Sequence, residues 1–265
     1  MVKLMIKVGN IVSRNSYNND ILFEVVKLDE NIAHLKGINY RLSADASLND
    51  LKLVTEYDEK HKDDEEYVRK LKAFDNLNRD EYFYLPGKIL HIDSDKSFLN
   101  RCLDFYKKAG VLAYGIKMNE NEVSKKIKKY LEEVKPDILV ITGHDAFYKN
   151  KPDKEKYKNS NYFSEAVKVA RQYENGYDKL VIIAGACQSN YEELIKSGSS
   201  FASSPKRINI HALDPAILAT IVSLSERGKE INLLEMLNKT KYGKDGIGGI
   251  KTNGMMFVGY PREWI

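Results

Sequence analysis

With 265 residues, 43% hydrophobic and 30% charged, the chain has the composition of a globular protein with ample apolar material for a core. Its net charge of +4 is too small for this length to argue for a nucleic-acid partner, and its two cysteines, Cys102 and Cys187, have no metal-ligand spacing. The opening residues alternate charge and apolarity, and no later run is long enough to span a bilayer, so a reduced, intracellular protein without a membrane partner is expected.

Residues 1 to about 56 read as β-rich. Short apolar runs, Leu4–Val8, Ile21–Leu28 and Ile32–Leu35, alternate with turn clusters, and Ser47–Val54 reads as a closing turn and strand. That spacing suits a small SH3-like barrel, with His34 a structural residue inside a strand. Residues 57–85 are strongly charged, with Tyr67, Leu71, Phe74 and Leu77 three or four apart, which predicts a helical connector with a solvated face and an exposed His61.

Pro86-Gly87 opens an alternation of strands and helices that occupies residues 86–265, the pattern of a mostly parallel sheet with helices on both faces. Ile89–Ile92 is the first strand, followed by a helix from Lys96 to Ala109, which places Cys102 in the core, and a strand Val111–Ile116. A helix Glu120–Val134, with Asn119 or Asn121 as cap, leads to a strand Ile138–Ile141. The polar loop Ala146–Asn161 precedes a helix Tyr162–Tyr173 and a strand Leu180–Ala184. Arg207–His211 reads as a fifth strand, with helices after Pro215 and around Leu233. The glycines of 243–252 do not make a phosphate loop, because Ile250 separates Gly249 from Lys251; a flexible loop near the site is expected instead.

Two strand ends carry the candidate chemistry. Ile138–Ile141 releases His144, and Leu180–Ala184 releases Cys187 onto a strand-to-helix turn whose backbone N–H groups can activate a thiol and hold an oxyanion. Residues just outside the carboxyl ends of neighbouring parallel strands share a crevice, so a thiol nucleophile with an imidazole base is expected. The alternative is a small buried cysteine and a loop histidine. His91 reads as packed in the sheet, and His211, at a strand end, is the rival base.

Histidine before cysteine, each ending a consecutive strand and with Ala186 before Cys187, resembles the caspase-like peptidases. Gly87-Lys-Ile-Leu-His-Ile-Asp93, Ile141-Thr-Gly-His-Asp145, Ala184-Gly-Ala-Cys-Gln-Ser189, Phe201-Ala-Ser-Ser-Pro205 and Ile210-His-Ala-Leu-Asp-Pro215 together resemble the YabG family of sporulation-specific proteases, from Gly9-Asn-Ile-Val12 to the C-terminal glycines. The resemblance implies a caspase-like domain and a cysteine endopeptidase without cofactor or metal, acting on spore-coat proteins on the mother-cell side of the cytoplasm. The likeness to caspase-like enzymes also implies an oxyanion hole from the N–H groups of Asp145 and Cys187, although in those enzymes the residue after the histidine is commonly glycine. It puts the first specificity pocket after the first and fifth strands, where Asp93 and Asp214 would select arginine, or lysine, over other side chains. Helix capping is the alternative use of each Asp. A different thiol hydrolase or acyltransferase, or a non-catalytic coat scaffold, are the rival functions.

Overall fold

The computed structural model describes residues 6–55, 62–72, 81–152 and 155–262. An N-terminal antiparallel sheet is built from β1 (Ile11–Arg14), β2 (Phe23–Asp29), β3 (Ile32–Gly37), β4 (Ser43–Ser47) and β5 (Leu51–Leu53), in the order β4-β3-β2-β1-β5. Alternation in β2 and β3 sends Phe23, Val25, Ala33 and Leu35 to the buried face. Of the run Leu4–Val8, the first two residues lie outside the described residues, and Ile6–Val8 forms no strand. His34 stands on β3 between the carboxylates of Asp29 and Asp45, at 2.9 and 2.7 Å. The connector contributes α1 (Lys62–Lys72), while His61, Phe74 and Leu77 and the side chain of Leu71 lie outside what is described.

The second sheet takes β7 (Ile89–Asp93), β8 (Ala113–Lys117), β9 (Ile138–Thr142), β10 (Val181–Ala184), β11 (Phe201–Ser203) and β12 (Ile247–Gly249), in the order β12-β11-β10-β9-β7-β8. All neighbours are parallel except β11 and β12. The unbroken apolar runs of β9 and β10 reflect burial on both faces. Ile138, Val140, Val181 and Ile183 face α2 (Lys96–Lys108) and α6 (Asp214–Leu224). Leu139, Ile141, Ile182 and Ala184 face α3 (Glu120–Val134), α4 (Ser160–Tyr173) and α5 (Tyr191–Lys196). Asp95 caps α2 by accepting from Ser97 N and Phe98 N, whereas Asn119 occupies the N-cap of α3 without a side-chain bond. A short α7 (Leu233–Leu237) follows, and β13 (Phe257–Gly259) pairs with β6 (Phe83–Leu85) in a separate ribbon.

Two expectations are corrected. Arg207–His211 is not a strand of the sheet; the place beside β10 belongs to Phe201–Ser203, and His211 makes only an isolated antiparallel bridge to Tyr40. The glycines of 243–252 do not form a free loop, since Ile247–Gly249 is the antiparallel edge strand on β11. The N-terminal sheet reaches the rim of the parallel sheet through the β3–β4 connection: Leu42 bridges to Asp145, and one continuous core runs from Phe23 and Leu35 to Ile89 and Val140.

Candidate active site

At the end of β9 the chain turns closely past two polar side chains. A Cβ on Gly143 would lie 2.6 Å from both Ser94 Oγ and Glu120 Oε1. His144 follows, nearly buried, its Nε2 2.8 Å from Asp95 Oδ2 and its ring tilted against that of Phe98 at 5.2 Å. Its Nδ1 is buried with no hydrogen-bond partner among the described residues. Burial works against the charge on Asp95, but His144, Lys36 and Ser97 outweigh it and hold the carboxyl far below the usual carboxylate range.

Asp145 adds less charge to the crevice than its type suggests. Its carboxyl accepts from Ala146 N, Asn159 N, Ser160 Oγ and Ser189 Oγ, which ties the His144 turn to the start of α4 and to the Cys187 turn. Burial nonetheless pushes its pKa up to about 6. The β10 turn is shaped by Gly185 at φ +108° and by Gln188 in the left-handed region at φ 57°. Cys187 is fully buried, its sulfur 3.2 Å from Ile210 N and 3.5 Å from Ile210 O, and burial pushes its thiol well up.

His144 and Cys187 thus end adjacent, paired strands (Ile141 opposite Ala184), yet they do not hydrogen-bond to each other. His144 Nε2 is taken by Asp95 and Cys187 Sγ by Ile210, and another piece of backbone bonds to both turns. The carbonyl oxygen of Arg41 accepts from Cys187 N at 3.3 Å and lies 3.5 Å from Asp145 N. The Arg41 side chain is completely buried and forms an ion pair with Asp93, while Nε and a terminal nitrogen donate to Ala212 O at 3.2 and 2.9 Å. The other sequence cysteine, Cys102, packs beside the same guanidinium, with Sγ 3.5 Å away. Burial opposes the charge on Asp93, but Arg41, with help from His91, keeps this carboxyl far below the usual range.

Of the two candidate specificity carboxylates, only Asp93 meets a guanidinium. Asp93 does not cap α2 itself, because its Oδ1 accepts from Asp95 N instead. Asp214 is fully buried and accepts from His211 N and Lys241 N, so it clamps backbone; burial pushes its pKa up to about 6. The two other histidines are also accounted for. His91 is buried in the sheet between Tyr106 Oη at 3.0 Å and Thr142 Oγ1 at 2.8 Å. His211 lies beside Arg101 and Tyr67, its Nδ1 accepting from Leu213 N at 3.3 Å. Sequence reasoning missed Arg41 altogether, the pairing of Asp95 with His144, and the use of the Asp145 carboxyl as a clamp. Arg41 gives no local signal, since it sits in a turn region 52 positions from its partner Asp93.

Beside His144 a cleft of about 490 Å³ opens among Lys36, Ser43, Ser94, Glu120 and Tyr162. No set of three His, Cys, Asp or Glu among the described residues is arranged to hold a metal, and no described helix is long and apolar enough to cross a membrane.

Comparison with known proteins gives a consistent answer in sequence. The family profile described as YabG peptidase U57 matches residues 7–261. The sporulation-specific protease YabG of Bacillus subtilis (strain 168) is 38% identical over 288 residues, covering 98% of this chain and 99% of that protein. Among solved structures, the A domain of a carboxylic acid reductase from Segniliparus rugosus aligns over 72% of this chain and 24% of its own, at 11% identity and a TM-score of 0.32, too low to bear on the fold.

Proposed function

Since the chain belongs to the YabG peptidase family, we propose that it is a cysteine endopeptidase of sporulation that cuts protein substrates after arginine. Membership supports a peptidase acting in sporulation; the thiol mechanism, the specificity and the spore-coat substrates are our reading of the site. One observation carries it: the backbone N–H groups of Asp145 and Cys187 converge on one carbonyl oxygen, whose own side chain is an arginine paired with Asp93.

In this reading the two N–H groups form the oxyanion hole, His144 takes the thiol proton as Cys187 Sγ adds to the scissile carbonyl, and the imidazolium gives that proton to the amine as the C–N bond breaks. The resulting thioester is released by water, which gives up a proton to the imidazole. Asp93 selects the arginine side chain, with lysine the weaker choice because it lacks the planar two-point fork. Asp214, assigned to the same pocket by the resemblance, is left out of it in this reading, because its oxygens accept from His211 N and Lys241 N. The α/β domain, residues 86–265, is of caspase-like type, and residues 1–56 make an SH3-like barrel joined by the connector 57–85. The protein works on the mother-cell side of the cytoplasm, at the forming coat.

A panel of peptide amides at high concentration tests this. Cys187→Ala and His144→Ala should abolish turnover, and His211→Ala should retain it. Asp93→Ala should lose the preference for arginine, whereas Asp214→Asn should keep it. Full activity in Cys187→Ala ends the thiol mechanism, and an unchanged preference in Asp93→Ala ends the pocket.

A further inference from the structure

The backbone seated between Asp145 and Cys187 belongs to the chain itself. Asn39 to Ser43 runs along the rim, from the bend after β3 to the first residue of β4, with isolated bridges at Tyr40 and Leu42. Asn39 O accepts from Ala212 N at 3.1 Å, Tyr40 pairs antiparallel with His211, and Ser43 N donates to Asp145 O at 3.3 Å. Between these flanks the Arg41 carbonyl meets both N–H groups, and the Arg41 guanidinium meets Asp93. A peptide held by main-chain hydrogen bonds on both sides, with one side chain in a charged pocket, has the geometry of a bound strand ligand.

The segment is also built to stay. It connects β3 to β4, and Gly37 N donates to Leu42 O at 2.8 Å, closing the connection. A Cβ on Gly37 would come within 2.4 Å of Tyr40 O, so the tight turn that aims Tyr40 and Arg41 at the rim requires glycine. Arg101 holds the outer side: it donates to Asn39 Oδ1 at 3.2 Å and pairs through two nitrogens with Asp64 of α1. The connector helix and the occupying segment are therefore fastened by one side chain.

Resting on the peptidase reading above, we propose that Asn39–Ser43 is a resident, substrate-like occupant of the chain's own active site. Intact protein is latent towards other substrates until this segment is withdrawn. The Arg41–Leu42 bond is the one offered to Cys187, so an external substrate must displace Arg41 from Asp93 and Arg41 O from the two N–H groups before it can bind. An occupant tethered at both ends competes at high effective concentration, which lowers apparent affinity for any outside peptide by the fraction of time the site is free.

The test uses full-length protein, iodoacetamide and a fluorogenic arginyl peptide amide, with alkylation at Cys187 separated from that at Cys102 by peptide mass. Arg41→Ala should raise the alkylation rate of Cys187 at least about tenfold over wild type, and arginyl amide hydrolysis with it. Equal alkylation rates in the two proteins overturn the proposal. Faster alkylation without hydrolysis in Arg41→Ala keeps the occupant and overturns the peptidase reading instead. Arg41→Ala leaves Asp93 charged and buried, so the pair Arg41→Ala/Asp93→Asn, which removes both charges, is labelled alongside it, with folding followed by circular dichroism. Iodoacetamide needs no arginine pocket, so the same rise is expected in the pair, and its absence in folded protein counts against the occupant. A nick at Arg41–Leu42 that Cys187→Ala abolishes supports the seating, because it identifies the bond held at the sulfur.

Discussion

Asp95 uses its two carboxylate oxygens for different purposes. Oδ1 caps α2 through Ser97 N and Phe98 N, and Oδ2 faces His144 Nε2 and Lys36 Nζ, each at 2.8 Å. Asparagine can keep the first role, but it presents an amide donor where imidazole and ammonium now find an acceptor. Asp95→Asn should therefore leave the fold intact and disturb the orientation and tautomer of His144. We expect kcat on an arginyl amide to fall by about 10- to 100-fold, within the range that positioned acid–base catalysis supplies, with KM changed little because Asp93 is untouched. Steady-state kinetics checks this split. A fall confined to KM, or no fall, would mean that Asp95 only caps the helix. In the sequence Asp95 is only a near neighbour of Asp93, and nothing in one dimension could reveal its cap or pair it with His144, 49 positions away.

At the scale of elements, the strands that lead to His144 and Cys187 were readable because apolar runs four or five residues long, with a glycine within two residues of their end, have few other uses. The next strand was not. Phe201–Ser203 is only three residues long and mostly small, whereas Arg207–His211 has the apolar alternation of a strand but bridges the N-terminal segment instead. The glycine-rich stretch near the C-terminus was misjudged for a related reason. Glycines that suggest mobility also permit close approach, and here they allow β12 to lie tight against its neighbours. A Cβ on Gly249 would stand 2.3 Å from Ser200 O and 2.4 Å from the Phe201 ring, and one on Gly248 would meet the Tyr191 ring. Gly249→Ala must therefore push β12 away from β11, breaking the Phe201–Gly249 pairing. The expected loss of stability is about 1–3 kcal/mol, the usual range for backbone-level overpacking, seen as a lower urea midpoint. A midpoint equal to wild type would show that the edge strand yields without strain.

For the whole molecule, four buried carboxyls around one rim set opposing trends in stability with pH. Asp93 and Asp95 titrate below the ordinary range, so an unfolded chain holds more protons than the native one only in acid, and their contribution is lost as pH falls below about 4. Asp145 and Asp214 behave in the opposite sense. Burial raises each from 3.8 to about 6 against the hydrogen bonds that favour the charge, so across that window the native chain keeps protons that the unfolded chain has released. Stability attributable to these two therefore falls as pH rises from about 4 to 6, at up to about 1.4 kcal/mol per unit for each group, and levels off above. Asp145→Asn isolates one of them. The amide oxygen still accepts from Ala146 N and Asn159 N, and the amide nitrogen can donate to the Ser160 and Ser189 hydroxyls, so the clamp between the His144 and Cys187 turns is kept without a charge to bury. Urea unfolding of wild type and Asp145→Asn at intervals from pH 4.5 to 7.5 should give curves that separate as pH rises, with the variant losing about half as much of the component due to this pair. Curves that stay parallel would mean that Asp145 is ionised in the folded protein throughout, and that its four donors, rather than its burial, decide its charge.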